Sequence, residues 1–163
     1  MDFLTWSHSL IQTFGYLGLI VVNLIGSATV FFPLPIAVLV FIFGGILNPW
    51  LVGLSAALGC TFGELTGYAL GRGGGKVLEK KYERFLKIGE RWFEKGKGFF
   101  CIFFFAATPL PYDVVGILGG IFNYNIKKFI LASFLGKMVM NLALAFGGFY
   151  GIKWILNIFK LSL

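Results

Sequence analysis

Apolar residues run almost unbroken along this chain, and the charged residues are confined to a few stretches. From Phe3 to Gly63 there is no Asp, Glu, Lys or Arg. A soluble domain cannot hide such a stretch, because solubility requires a charged surface. A helix needs about 20 apolar residues to cross a bilayer. The runs therefore predict spans at residues 10–32, 50–71 and 129–150, and a short last span at 151–163.

A block that opens with two prolines and closes with two glycines occurs twice, at residues 33–48 and 109–124. Each copy is too short to cross a bilayer, and proline ends a helix because it has no N–H to donate. Interrupted apolar segments at matching places in two halves indicate a transport site between inverted repeats. We predict two re-entrant helical hairpins that open to opposite faces. The predicted hairpin breaks are Pro33, Pro35, Gly44 and Gly45 in the first copy and Pro109, Pro111, Gly119 and Gly120 in the second.

These patterns predict an all-α polytopic membrane protein with about four spans and a single domain over residues 1–163. The first repeat covers about residues 10–72 and the second about 98–163. Small residues recur at every fourth position of the second span, and such a stripe lets another helix approach closely, within the chain or in a second copy. The predicted packing positions are Ser55, Gly59, Gly63, Gly67 and Gly71.

The basic residues lie late in the chain: all 14 Lys and Arg stand at or after Arg72. The segment between the repeats, residues 73–97, is basic and predicts a cytoplasmic loop rather than a nucleic-acid site. Within it, residues 76–97 predict an amphipathic helix at the membrane interface, and a solvated linker helix is the alternative. Cys60 and Cys101 lie in apolar runs, so we expect neither a disulfide nor a metal site.

Three ionisable residues, Glu64, Asp113 and Lys137, lie inside apolar segments, where a charge costs about 2.5–3.5 kcal/mol on the gentler insertion scale. We expect them to converge near the bilayer midplane, with Asn141 one helical turn from Lys137. For each there is a structural alternative. Glu64 and Lys137 would form an ion pair, Asp113 would cap a half-helix beginning at Val114, and Lys137 would snorkel to the interface.

The prolines also predict a ligand class. Half-helices that begin after Pro35 and Pro111 would aim unpaired N–H groups at the centre of the bundle, and such ends attract anions. With Lys137 nearby, a phosphate head group is a plausible ligand. Glu64 and Asp113 are then candidates for proton exchange, and Arg72, at the end of its span, is a further candidate for substrate or ion binding.

At two places the residues resemble the DedA proteins and the wider VTT (SNARE-associated) group. The resemblance covers roughly residues 25–150. Its motifs are Gly63-Glu64-Leu65-Thr66-Gly67-Tyr68 with Gly71-Arg72, and Pro109-x-Pro111 … Asp113-x-x-Gly116 … Gly119-Gly120 with Gly136-Lys137.

The resemblance implies two facing re-entrant hairpins and movement of phospholipids or polyprenyl phosphates between leaflets, driven in bacterial members by the proton-motive force. It assigns roles to Glu64, Arg72, Asp113 and Lys137, together with Pro109 and Pro111. Bacterial members often have Pro-Gly-Glu in the first hairpin, where this chain has Pro35-Ile36-Ala37. Their Arg-rich second-hairpin motif is also missing, since Ala106-Ala107-Thr108 precedes Pro109. These departures favour an uncoupled scramblase.

We therefore expect a lipid transporter or scramblase in the cytoplasmic membrane of a prokaryote. A small-solute or cation/drug exporter and a non-transporting scaffold are the alternatives. We expect no enzymatic activity and no cofactor, because the chain has one His and no Ser/His/Asp set. The expected partners are membrane lipids, with protons and a second copy of the chain as candidates.

Overall fold

The computed structural model describes residues 5, 11, 13–29, 36–74, 93, 97–110 and 112–159. Within these residues the regular structure is helical and contains no strand, which confirms the all-α prediction. Residues 65–74, here called the α3 extension, continue α3 after a turn at Glu64. The helices are α1 (Tyr16–Ala28), α2 (Ile36–Ile46), α3 (Pro49–Gly63), α4 (Gly98–Ala107), α5 (Tyr112–Ile121) and α6 (Ile126–Phe159).

Asparagine side chains fix where the two long helices begin. The side chain of Asn48 accepts the N–H of Trp50 at 3.0 Å at the start of α3. At the start of α6, Asn125 accepts the N–H groups of Lys127 and Lys128 at 3.0 and 3.2 Å. Each cap satisfies amides that have no partner within the helix. The turns that follow the two Pro/Gly blocks are thus the starting points of α3 and α6.

α3 with its extension packs beside α6, and the two run in opposite directions. Residue numbers rise along one helix as they fall along the other. The contacting pairs are Trp50 with Phe146, Gly53 with Leu142, Glu64 with Lys137 and Tyr68 with Phe129. The turn before α3 and the turn before α6 consequently lie at opposite ends of this pair.

Each short glycine-rich helix packs on the long helix of the other half. Four glycines form these contacts, and a Cβ atom at any of them would overlap the backbone of the facing helix. The contacts of α2 with α6 recur between α5 and the α3 extension at an offset of 76 or 77 residues. Gly44 faces Ala145 as Gly120 faces Tyr68, and Gly148 faces Phe41 as Gly71 faces Ile117.

This packing corrects the role predicted for the glycine pairs. Gly44 and Gly45 lie inside α2, and Gly119 and Gly120 lie inside α5, so none of them breaks a helix. Gly44 and Gly120 are placed where the backbone of another helix comes too close for a side chain, a second use of glycine that has the same appearance in sequence. Pro109 does lie in the break between α4 and α5. Pro33, Pro35 and Pro111 lie outside the described residues.

The small-residue stripe of α3 packs within the chain. A Cβ at Gly59 or Gly63 would meet α1, and one at Gly71 would meet α5. Gly67 has ordinary clearance, with its nearest neighbours 3.8–4.0 Å away, and Ser55 is buried. In the second half, Gly136 of α6 makes the matching approach to α4. α3 therefore packs closely against α1, as α6 packs closely against α4.

The prediction that one span ends at residue 150 and another covers 151–163 is wrong, because α6 is continuous from Ile126 to Phe159. Gly147 and Gly151 do not interrupt it. Their Cβ positions lie 3.4 and 3.5 Å from the Phe41 ring, so both glycines pack beside that ring at ordinary contact distance. Within the described residues one helix, Ile126–Gly151, is long and apolar enough to cross a membrane; its 26 residues rise about 39 Å.

The outside of the helix bundle is apolar. Soluble monomers rarely expose large contiguous apolar patches, yet every helix here exposes at least one large apolar side chain. Examples in chain order are Leu17, Ile42, Leu51, Phe100, Val114 and Val139. The interfacial helix predicted for residues 76–97 lies outside the described residues except for Phe93 and Lys97. Phe93 is buried, with its ring centroid 5.4 Å from those of Phe122 and Tyr124.

Candidate functional site

An ion pair joins the two halves at the middle of the long helices. Lys137 Nζ lies 2.8 Å from Glu64 Oε1, and only 12% and 6% of the two side chains are exposed. Lys137 is eleven residues, roughly 16 Å, from the start of α6, which places it near mid-length of the apolar part of that helix. The two charges are buried and neutralise each other, because a charge removed from water is costly unless it is paired.

A cavity of 220 Å³ opens beside this pair. The first turns of both short helices border it, through Ile36 and Ala37 of α2 and Tyr112 and Asp113 of α5. The start of a helix carries unpaired N–H groups and a partial positive charge of about half an elementary unit. The first turns of two helices and the Lys137 ammonium therefore border the cavity together with the carboxyl groups of Glu64 and Asp113. Helix starts and a lysine are groups that can bind an anion.

Four of the five polar residues predicted to form the site line this cavity, and Arg72 does not. Glu64, Asp113, Lys137 and Asn141 all line the cavity. Asp113 is half-buried in the first turn of α5 and close enough to interact electrostatically with Glu64 and Lys137. The helix begins at Tyr112, so Asp113 is not the cap residue of a helix that starts at Val114. Lys137 does not snorkel to an interface, since it is held by Glu64.

Arg72 is the exception. It is exposed at the end of the α3 extension and lines a separate cavity whose lining residues are all different from those of the central one. Eight residues of helix separate Arg72 from Glu64, roughly 12 Å of rise. The structure therefore does not bring Arg72 together with the other four predicted site residues.

Two residues that the sequence reading did not select contribute to the site. The Lys137 ammonium lies 4.7 Å from the centroid of the Tyr112 ring, a cation–π contact, and the Tyr112 hydroxyl is hydrogen-bonded to Ser133. Cys60 lines the cavity and donates to the side-chain oxygen of Asn23 at 3.5 Å. The one sequence signal for Tyr112 was its place beside Asp113, directly after the second proline block.

The residues that hold the site are themselves hydrogen-bonded. The Ser133 hydroxyl donates to the Phe129 carbonyl at 2.7 Å, and the Asn141 side chain donates to the Lys137 carbonyl at 2.8 Å. Each of these bonds spans one turn of α6, and Asn141 is bonded there to the turn that carries Lys137. Among the described residues, no buried side-chain nitrogen or oxygen lacks a hydrogen-bond partner. The ion pair and these hydrogen bonds therefore hold Glu64, Lys137 and Asn141 in place, and these three residues together with Asp113 are called the charged centre below.

Comparisons with known proteins identify the family of this chain. The chain is 30% identical to an uncharacterised protein of Methanocaldococcus jannaschii, over 80% of this chain and 82% of that protein. It is 31% identical to an alkaline phosphatase-like protein of Lactococcus lactis, over 86% of this chain and 73% of that protein. No solved structure shows significant similarity to it. The family model of the VTT domain matches residues 34–150, a range that includes both short helices and every residue of the charged centre. The chain therefore belongs to the VTT-domain family, as its motifs predicted.

Proposed function

We propose that this protein spans the membrane several times as an inverted repeat and moves phospholipids, or related polyprenyl phosphates, between leaflets. One observation carries the proposal: a charged, partly open cavity near mid-length of the long helices, bordered by α2 and α5, inside a bundle that exposes many large apolar side chains. In the proposed arrangement α2 and α5 are the inner arms of two re-entrant hairpins that enter from opposite faces. Transport is the proposed activity rather than enzymatic turnover.

The VTT domain and the apolar helix of 26 residues support a membrane location. Both relatives compared above come from prokaryotes, which favours the cytoplasmic membrane. The exposed cations Lys127 and Lys128 at the start of α6 would then mark the cytoplasmic end, because Lys and Arg are concentrated in cytoplasmic loops.

The dimensions and chemistry of the cavity favour a lipid head group over a whole small molecule. Its 220 Å³ is below the 300–1,000 Å³ typical of pockets for drug-sized ligands. It is open on one side, where Leu110 is exposed in its wall. A phosphate head group can enter the cavity while its acyl chains stay outside, against the apolar surface of the bundle.

Exchange of partners at Lys137 supplies a mechanism. A phosphate oxygen that reaches Lys137 takes the place of the Glu64 carboxylate, and the first turns of α2 and α5 supply further N–H donors. Glu64 is then a buried charge without its cation, a costly state, and uptake of a proton removes that charge. Asp113, half-buried at the cavity wall, is the second carboxyl group of this proposed proton exchange.

The inverted arrangement predicts that the turns before α3 and α6 face opposite sides of the membrane. Single cysteines at exposed positions near these turns, Ile46→Cys and Lys127→Cys, test it in a background with Cys60→Ser and Cys101→Ala. In sealed cells, a membrane-impermeant maleimide should label the cysteine at position 46 and leave the one at position 127 unlabelled until the cells are opened. Labelling of both from the same side would rule out the inverted topology.

Leaflet exchange is tested with purified protein in liposomes that contain fluorescent phosphatidylglycerol or phosphatidylcholine. Dithionite bleaches the outer leaflet, and protein-dependent bleaching of the inner leaflet reports exchange. We expect exchange that is faster for phosphatidylglycerol, and a pH gradient shows whether protons are coupled. Protein-free liposomes are the control, and rates equal to theirs would contradict the proposal. Release of inorganic phosphate in the same samples would instead favour the hydrolase that one relative's name suggests.

A further inference from the structure

We propose that the cavity around Arg72 is a second binding site, which holds one anionic phospholipid of the leaflet next to the basic end of the bundle. The inference concerns a lipid that stays bound and does not depend on leaflet exchange. The cavity, of 400 Å³, lies between the α3 extension and the start of α6, and it is called the Arg72 groove below. It is lined by Leu65, Tyr68, Ala69, Arg72, Gly73 and Ile126.

The walls of the Arg72 groove suit an acyl chain. Leu65, Ala69 and Ile126 present apolar surface, and Ile126 is 42% exposed. The Tyr68 hydroxyl already donates to the Tyr124 carbonyl at 2.6 Å, so its one hydrogen is not free to donate to a ligand. Arg72 is then the charged group of the lining. A guanidinium can donate two parallel hydrogen bonds to one phosphate group.

In the part of the chain that the structure describes, charge at this end of the bundle is of one sign. Among the described residues the cations here are Arg72, Lys97, Lys127 and Lys128, all exposed. Glu64 and Asp113, the acidic residues in the described part of the chain, both lie at the central cavity instead. Within the described residues Arg72 therefore has no carboxylate partner, and an anion from outside the chain can fill that role.

Position selects a phospholipid rather than a soluble anion. The groove lies at one end of the long helices, where the apolar part of α6 begins and head groups are expected. A cation above an apolar groove between helices matches the two parts of a phospholipid, and basic pockets of this kind on the cytoplasmic side bind anionic head groups.

Binding of short-chain phosphatidylglycerol to the purified protein in a neutral detergent tests the proposal. Measurement in a Glu64→Gln, Lys137→Met background removes the cation of the central cavity without leaving a buried carboxylate unpaired, so that failure of the transport proposal and failure of this one are distinguishable. Arg72→Gln should weaken binding about fivefold, which corresponds to about 1 kcal/mol for one basic residue near an anionic lipid. Arg72→Lys keeps the charge but loses the paired hydrogen bonds, so its affinity should lie between those of the unmodified protein and Arg72→Gln. Lys153→Gln, a surface lysine outside the groove, is the matched control and should change nothing.

A second variant separates a built groove from general attraction of anions. Ala69→Trp keeps every charge but fills the groove, and it should abolish binding of phosphatidylglycerol. Equal affinity of Arg72→Gln and Lys153→Gln would overturn the proposal. So would binding of phosphatidylcholine as tight as that of phosphatidylglycerol, or equal competition by glycerol phosphate, since the first removes the role of the charge and the second that of the acyl chain.

Discussion

Replacement of Glu64 with Gln is expected to lower the free energy of unfolding by about 3 kcal/mol, because it leaves the Lys137 ammonium buried without its counter-ion. The figure is the lower end of the range for breaking a buried pair, since 12% of the Lys137 side chain is exposed. Addition of Lys137→Met should restore most of the loss, as replacement of both partners of a buried pair is often neutral. Denaturant unfolding in detergent measures both effects. Lys153→Met, an exposed lysine of the same helix, is the control.

A transport assay distinguishes an ion pair that only stabilises the fold from one that is part of a transport site. The Glu64→Gln, Lys137→Met double variant should be stable yet inactive in leaflet exchange of phosphatidylglycerol, because it lacks the cation that binds the phosphate. The Lys153→Met control should retain normal exchange. If the stable double variant transports at the rate of the unmodified protein, Glu64 and Lys137 only hold the two halves together, and the site assignment is wrong.

The charged centre was predictable from sequence because a charged residue buried in an apolar segment is costly unless it has a partner of opposite charge. Glu64 and Lys137 each lie near the middle of an apolar run, where an isolated charge is costly, so each needs a partner at the same depth. The pair at 2.8 Å follows from that requirement. Arg72 lies at the end of its run, where its side chain can reach solvent or head groups. No cost of burial therefore requires Arg72 to find a partner inside the bundle, and the resemblance between motifs did not predict its position.

The roles of the paired glycines could not be predicted from the sequence alone. Glycine serves both to end a helix and to admit a neighbouring backbone, and the two uses have the same appearance in the sequence of Gly44-Gly45 and Gly119-Gly120. Only the packing partner separates them, and that partner lies in the other half of the chain. The continuity of α6 was not apparent from the sequence either, and in the structure Gly147 and Gly151 pack beside the Phe41 ring without interrupting the helix.

The same packing gives the most direct test of the repeat. Gly71→Ala and Gly148→Ala would each force a methyl group against a backbone carbonyl, of Ile117 and of Phe41 respectively. Overpacking of this kind typically costs about 1–3 kcal/mol. If α2 and α5 occupy equivalent places, the two variants should lose similar amounts of stability. The two sites lie near opposite ends of the long helices, so in the double variant the losses should add.

Gly73→Ala is the matched control for this pair. Gly73 lies in the same α3 extension as Gly71, with nothing within 4 Å of its Cβ position. Alanine there meets no neighbour and restricts the unfolded chain, so stability should be unchanged or rise by about 0.4–1 kcal/mol. Thermal unfolding in detergent ranks the three variants. If Gly71→Ala proves as stable as Gly73→Ala, α5 does not rest on the α3 extension. The arrangement in which α2 packs on α6 and α5 packs on the α3 extension, which brings their first turns to one cavity, would then be wrong as well.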